Sequence, residues 1–298
     1  AAALAAASLM VSGCFGKTGE HELQEAADAI NAAIEHDLAL DRYEFTVSRG
    51  AFFDEKSYEG QKTTYICVSG DGGRDYYITT TSSDKSSTLT VEHELLGNDH
   101  YYRIFDKEKD EYHIPSDAGS DTGSHPGLLE KGWVYDTTDS PSGNEDYKKR
   151  LWIYGHRIAP EDFAEASIDK DGDWTTISLS RSPEQLKESS LPSKVMYNEA
   201  MDWYQRELAK DDLKQYERSS LEAKQKELEE TGAEAIDRNY TAETLKAVID
   251  SSGRLLTIEY RLSYDYGQEI DGETVKTITQ YSNATLERSN DDSIVLPE

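Results

Sequence analysis

Three carboxylates within Asp169-Lys170-Asp171-Gly172-Asp173 invite a test for calcium. An EF-hand loop needs Gly at its sixth position and a bidentate Glu at its twelfth. Counted from Asp169, the Gly is fourth, the sixth residue is Trp174 and the twelfth is Ser180, so the run reads as an Asp-Gly turn feeding the next strand. His93 and His100 flank an expected hairpin turn and could meet across strands, but zinc would want a third ligand and none follows at characteristic spacing. Gly123-Ser124-His125-Pro126-Gly127 carries His where a nucleophile elbow needs Ser. No Gly-x-Ser-x-Gly, His-Glu-x-x-His, P-loop or Cys-x-x-Cys occurs, and among 59 acidic residues any carboxylate pair is uninformative. No catalytic residue, cofactor site or metal ligand is nominated.

The thiols are more informative. Cys67 lies in Thr64-Tyr65-Ile66-Cys67-Val68, an expected strand, where a free cysteine behaves as a small buried hydrophobe. Cys14 ends a different pattern. Residues 1–11 are apolar except for Ser8, and the small residues Ser12-Gly13 precede the thiol. An apolar run of this length suits a signal-peptide core and is too short to span a bilayer. Val11-Ser12-Gly13-Cys14 resembles the lipobox of bacterial lipoproteins, an aliphatic residue and two small ones before an invariant cysteine. The resemblance implies that Cys14 receives a diacylglyceryl group and that signal peptidase II cuts before it. Residues 1–13 are then the remnant of a signal, residues 14–20 a lipidated tether, and Cys14 the link to the outer side of the cell membrane. Two or three acyl chains give lasting attachment. With Cys14 so occupied, no intrachain disulfide can form between the two cysteines.

The formal net charge of −28 falls wholly after residue 13. Such a surface repels nucleic acid and anionic headgroups and excludes a nucleic-acid partner. No later run reaches the ~18 apolar residues of a membrane span, which leaves the lipid as the expected membrane contact.

The elements that would position these residues follow from periodicity. Leu23, Ala27, Ile30 and Ile34, with Ala26 and Ala33, form a helical stripe over residues 20–38. From residue 40 the period drops to two: Tyr43, Phe45 and Val47 alternate with Glu44, Thr46 and Ser48, the pattern of a half-buried antiparallel strand. Strands are also expected at 63–69, 75–82, 87–96 and 100–106, joined by turns rich in Gly and Asp, so successive strands should be neighbours. Residues 115–130 and 136–146 read as loops, with short aromatic segments at 132–135 and 151–154. Residues 161–168 read as a brief helix behind Pro160, and 174–179 as a strand. Ser182-Pro183-Glu184-Gln185 combines an N-cap, a first-position Pro and a Gln at the third helical position. The helix restarts at Pro192-Ser193 and runs as one long helix or a pair over 193–231. Strands return over 242–286, with Asp271-Gly272 the best turn signal. Residues 287–298 read as a polar, frayed tail. Nineteen tyrosines, including the Tyr76-Tyr77 and Tyr101-Tyr102 pairs, suit sheet faces that are half wet.

An amphipathic first helix, a strand meander, a helical insertion and a final hairpin, all behind a lipidated cysteine, resemble the LolA/LppX-like lipoproteins. Ala247-Val248-Ile249-Asp250-Ser251-Ser252-Gly253-Arg254-Leu255-Leu256 looks like that family's strand–turn–strand pattern. The resemblance implies one α+β domain over residues 21–286: a curved antiparallel sheet, an incomplete barrel with helices on its concave face, here with a long helical segment at 183–231. It also implies a lipid-like or apolar ligand between sheet and helices, and no catalysis. The alternative is a protein partner engaged by the acidic helical segment.

Overall fold

A computed structural model of the chain describes residues 19–70, 73–83, 88–96, 99–113, 133–135, 157–210, 213–231, 239–270 and 272–297. Cys14 and its lipobox, the Gly123–Gly127 run and the expected aromatic segment at 151–154 lie outside the described residues. The first helix, α1 (Glu20–Leu38), leads into β1 (Arg42–Phe53), β2 (Lys56–Gly70), β3 (Gly73–Ser83), β4 (Thr88–Leu96), β5 (Asp99–Asp106), β6 (Glu111–His113) and β7 (Val134–Tyr135). A 3-10 turn at Pro160–Asp162 precedes β8 (Glu165–Asp171) and β9 (Trp174–Ser180). Three helices follow, α2 (Pro183–Glu188), α3 (Leu191–Leu208) and α4 (Gln215–Thr231), then β10 (Tyr240–Asp250), β11 (Leu255–Ile270) and β12 (Glu273–Ser289).

The strands form one curved, unclosed antiparallel sheet in the order β6-β5-β4-β3-β2-β1-β12-β11-β10-β9-β8, with β7 paired to β5. Each half is a meander of sequence neighbours. The halves meet where β1 pairs with β12, from Tyr43 opposite Ser289 to Phe53 opposite Ile278. The first and last strands therefore lie at the centre of the sheet.

Helix α1 packs across β8 to β11, and the face it covers is called inner below. Ala26, Ala27 and Ala33 let the helix backbone come close, and Ile30 and Ile34 fill the space against Ile177, Leu179, Leu245, Ala247, Leu255 and Ile258. The helical stripe read from the sequence is the buried face. Asn31, buried within that stripe, accepts from the Ile158 amide at 2.7 Å and donates to the Ile158 carbonyl at 2.8 Å, satisfying a stretch of chain that has no ladder of its own. Phe45 stacks on Tyr65 at 4.5 Å in the same core, and Cys67 is fully buried beside Tyr43 and Tyr76.

Three expectations are corrected or sharpened. Residues 161–168 are not a helix: after the 3-10 turn, the chain extends into β8, where Ala166 and Ile168 face the core opposite Leu179 and Ile177. Sheet pairing outweighs the helical composition of that stretch. The 193–231 segment is a pair of helices rather than one rod, with the Arg218 guanidinium donating to the Leu208 and Lys210 carbonyls at the break. The tail is tied down, not frayed: β12 runs to Ser289, Ile294 is fully buried, and Arg42 donates to its carbonyl at 2.9 Å. The Ser182 cap forms as read, with Ser182 Oγ accepting from the Gln185 amide at 3.2 Å and the Gln185 side chain accepting from the Ser182 amide at 2.8 Å. Asp171-Gly172-Asp173 is a tight turn between β8 and β9, with Gly172 at φ +60.

Candidate functional site

Strand β1 divides the inner face. Tyr43, Phe45 and Val47 are buried, but Arg49, Ala51 and Phe53, which continue the same alternation, are only half-buried. The pairing with β12 puts Ser282 opposite Arg49, Gln280 opposite Ala51 and Ile278 opposite Phe53. Paired residues share a face, and Gln280 is exposed there. The inner face is thus filled beneath α1 and reached by solvent along the β1–β12 seam.

A bulge sets this row. Arg49 pairs with Gln61 and Gly50 with Glu59, which leaves Gly60 as the extra residue. A Cβ on Gly50 would meet the Tyr58 carbonyl at 2.2 Å and the Tyr281 hydroxyl at 2.7 Å, so only glycine permits the approach. The Arg49 guanidinium donates to Gln61 Oε1 at 3.4 Å, and Gln61 reaches Ser82 Oγ at 3.5 Å. Among the described residues Arg49 has no carboxylate partner. The Ser282 hydroxyl across from it is buried without a hydrogen bond.

Further along, the face turns apolar. Tyr264, Val275 and Ile278 form a second buried cluster flanked by Ala51, Phe53, Tyr240, Tyr266 and Ile270. It ends at a cleft of about 890 Å³ between the β1–β2 and β11–β12 turns, where Phe53, Ile270 and Val275 sit beside Asp54, Lys56, Glu273 and Lys276. That volume is within the range of small-molecule sites. Asp54, at φ +51, ties the β1–β2 turn to β12: its carboxylate accepts from the Thr277 amide at 2.9 Å and the Lys276 amide at 3.1 Å. Lys56 and Glu273 form an ion pair across the same gap.

The helical excursion is rooted next to this region. Glu243 on β10 is 1 % exposed. Its carboxylate accepts from Arg181 at 2.7 Å, from the Leu191 amide at the start of α3 at 2.7 Å, and from the Tyr260 hydroxyl at 2.6 Å. Burial, then the adjacent Glu243 charge, push Tyr260 well above the ordinary tyrosine range, so it stays a donor. Arg181 also donates to the carbonyls of Asp162, Gln185 and Ser189, so every arm of the pair is used. The group is a structural anchor, with no lone nucleophile or base left over.

His93 and His100 do meet across β4 and β5, Nδ1 to Nε2 at 2.9 Å with rings stacked at 5.1 Å. Such a contact is made with one N–H between the two rings. Among the described residues no cluster of three or more metal-ligating side chains occurs, and no helix is long and apolar enough to cross a membrane. Cys67 lies in the core, as its strand suggested. Arg49 and the Arg181–Glu243 pair went unnoticed in the sequence. The one signal for the former was a cation continuing the Tyr43-Phe45-Val47 alternation.

No protein-family model matches the chain, and no curated protein matches it in sequence. Among solved structures it is similar to LprF from Mycobacterium bovis, at 11 % identity and TM-score 0.35, over 95 % of this chain and 99 % of that one. It is also similar to a DUF1329 family protein from Desulfovibrio piger (8 %, TM-score 0.25, 91 % and 96 % covered). A third is the LolA superfamily protein NE2245 from Nitrosomonas europaea (9 %, TM-score 0.18, 91 % and 97 % covered). These likenesses are too loose to carry a functional inference.

Proposed function

We propose that this chain is a lipoprotein held by Cys14 on the extracytoplasmic face of the cell membrane, and that it binds a lipid-like or apolar ligand without catalysing a reaction. The lipobox resemblance of Val11-Ser12-Gly13-Cys14 supports the anchor. The division of the inner face supports the binding. One part is packed shut by α1, and the other carries a smaller apolar cluster, edged by the half-buried Ala51 and Phe53, that borders the 890 Å³ cleft. The cleft sets the apolar side chains of Phe53, Ile270 and Val275 beside a charged rim of Asp54, Glu55, Lys56, Glu273 and Lys276, the combination an amphiphile would meet.

Native mass spectrometry of the chain expressed from Glu20 onward tests the reading. Co-purified lipid is expected, and it should be lost when Phe53→Asp and Ile278→Asp place charges on the track. Repeated absence of any bound mass from the unaltered chain counts against it.

A second reading has its own observation. Among the described residues, helices α3 and α4 pack mainly against each other, and Trp203 and Tyr216 on them are 45 % and 66 % exposed. Exposed aromatic side chains suit a protein partner. Deleting residues 210–231 should abolish partner retention in crosslinking on this reading, while a ligand carrier keeps its bound lipid.

A further inference from the structure

Arg49 is out of place for a track meant only for hydrocarbon. It lies on the inner face between the buried Val47 and the half-buried Ala51, in a chain of net charge −28. Among the described residues its only polar contact is Gln61, at the long distance of 3.4 Å. Beside it, Ser282 is 5 % exposed and its hydroxyl makes no hydrogen bond. A half-buried guanidinium without a counter-ion and a buried hydroxyl without a partner both carry a desolvation cost. An anion accepting from Arg49, in the forked geometry that guanidinium offers to carboxylate and phosphate, removes the first cost, and Ser282, opposite Arg49 in the β1–β12 pairing, is a spare donor on the same face.

We infer that Arg49, Gln61 and Ser282 form the head-group end of the site and that its ligand is an anionic amphiphile. The inference rests on the apolar-track reading above. The acyl chain lies along the half-buried Ala51 and Phe53 toward the cleft. From Arg49 to Phe53 is four residues of extended chain, about 13 Å at the usual strand rise. The anion is a carboxylate or a phosphate, which share this chemistry. The acidic exterior does not oppose it at close range, because surface charges more than a Debye length away are largely screened.

The test uses the full chain and three probes of equal chain length below their micellar concentrations: dodecanoate, dodecyl phosphate and monododecanoylglycerol. Calorimetric titration should show one or both anions binding at least roughly tenfold tighter than the neutral glyceride, the scale of one charge-assisted contact. Which anion leads identifies the head group. Arg49→Gln should bring both anions down to the affinity of the glyceride with a cooperative thermal melt retained, and Arg49→Lys should keep part of the preference. Equal binding of all three probes by the unaltered chain, or a preference that survives in Arg49→Gln, overturns the inference and leaves the apolar track standing. Failure of every probe to bind overturns both.

Discussion

Arg181 and Glu243 stand sixty-two residues apart in sequence and 2.7 Å apart in space, and their side chains are 3 % and 0 % exposed. The pair joins the start of α3 to the face of the sheet. Removing one partner strands the other charge in an apolar surrounding. Glu243→Ala should therefore cost about 3–5 kcal/mol in urea unfolding. The double change Arg181→Met with Glu243→Leu should recover much of that loss. A single-variant cost below about 1 kcal/mol would show that the anchor holds nothing.

Asp37, near the end of α1, should make the protein less stable as the pH rises. Burial raises its carboxyl from 3.8 to about 6, against opposing contributions from His36, the Leu255 amide and Arg254. The folded state then holds the proton more tightly than the unfolded chain. No penalty exists below pH 3.8; it grows between pH 4 and 6 and is complete above. Asp37→Asn is expected to raise stability at pH 7 by up to about 3 kcal/mol and to change little at pH 4. Melting curves at the two pH values decide it, and an equal shift at both would exclude an ionisation effect.

Gly50→Ala tests the bulge. Its new methyl group meets a backbone carbonyl, which cannot swing aside as a side chain could. A loss above about 2 kcal/mol is expected, in the class of overpacked sites. A neutral result in chemical denaturation would mean that the β1–β2 pairing slips without cost.

Cys67 should be inert until the protein unfolds, because it is fully buried among Tyr43, Tyr65 and Tyr76. In a Cys14→Ser background, a thiol reagent should modify no cysteine in buffer and one in denaturant. Rapid labelling of the folded chain would contradict the packing of β1 to β3.

Local features were legible in the residues themselves. The α1 stripe, the alternation of Tyr43, Phe45 and Val47, the Ser182–Gln185 box and the turns at Gly172 and Gly253 are each settled within a few positions by backbone geometry. Asp250 shows how tight such a turn is: burial opposes its charge, but hydrogen bonds from Ser252 and Arg254 outweigh that and hold the carboxyl down at about 2. What escaped was set by distant partners. Nothing in 161–168 announced that Ala166 and Ile168 would find β9, and nothing near Glu243 named Arg181. The polar end of the track escaped for the same reason, since Arg49 acquires its meaning only when Ser282 is laid opposite it.

The seam between β1 and β12 has a consequence for how the molecule comes into being. Tyr43 cannot meet Ser289 until the chain from β1 through β12 is available, so a chain still lacking β12 cannot complete the middle of its own sheet. The two meanders are built from local hairpins, whereas the seam is a pairing of long sequence separation, the kind that slows folding. A chain released short of β12 would expose the bare edges of β1 and β11, an invitation to aggregate.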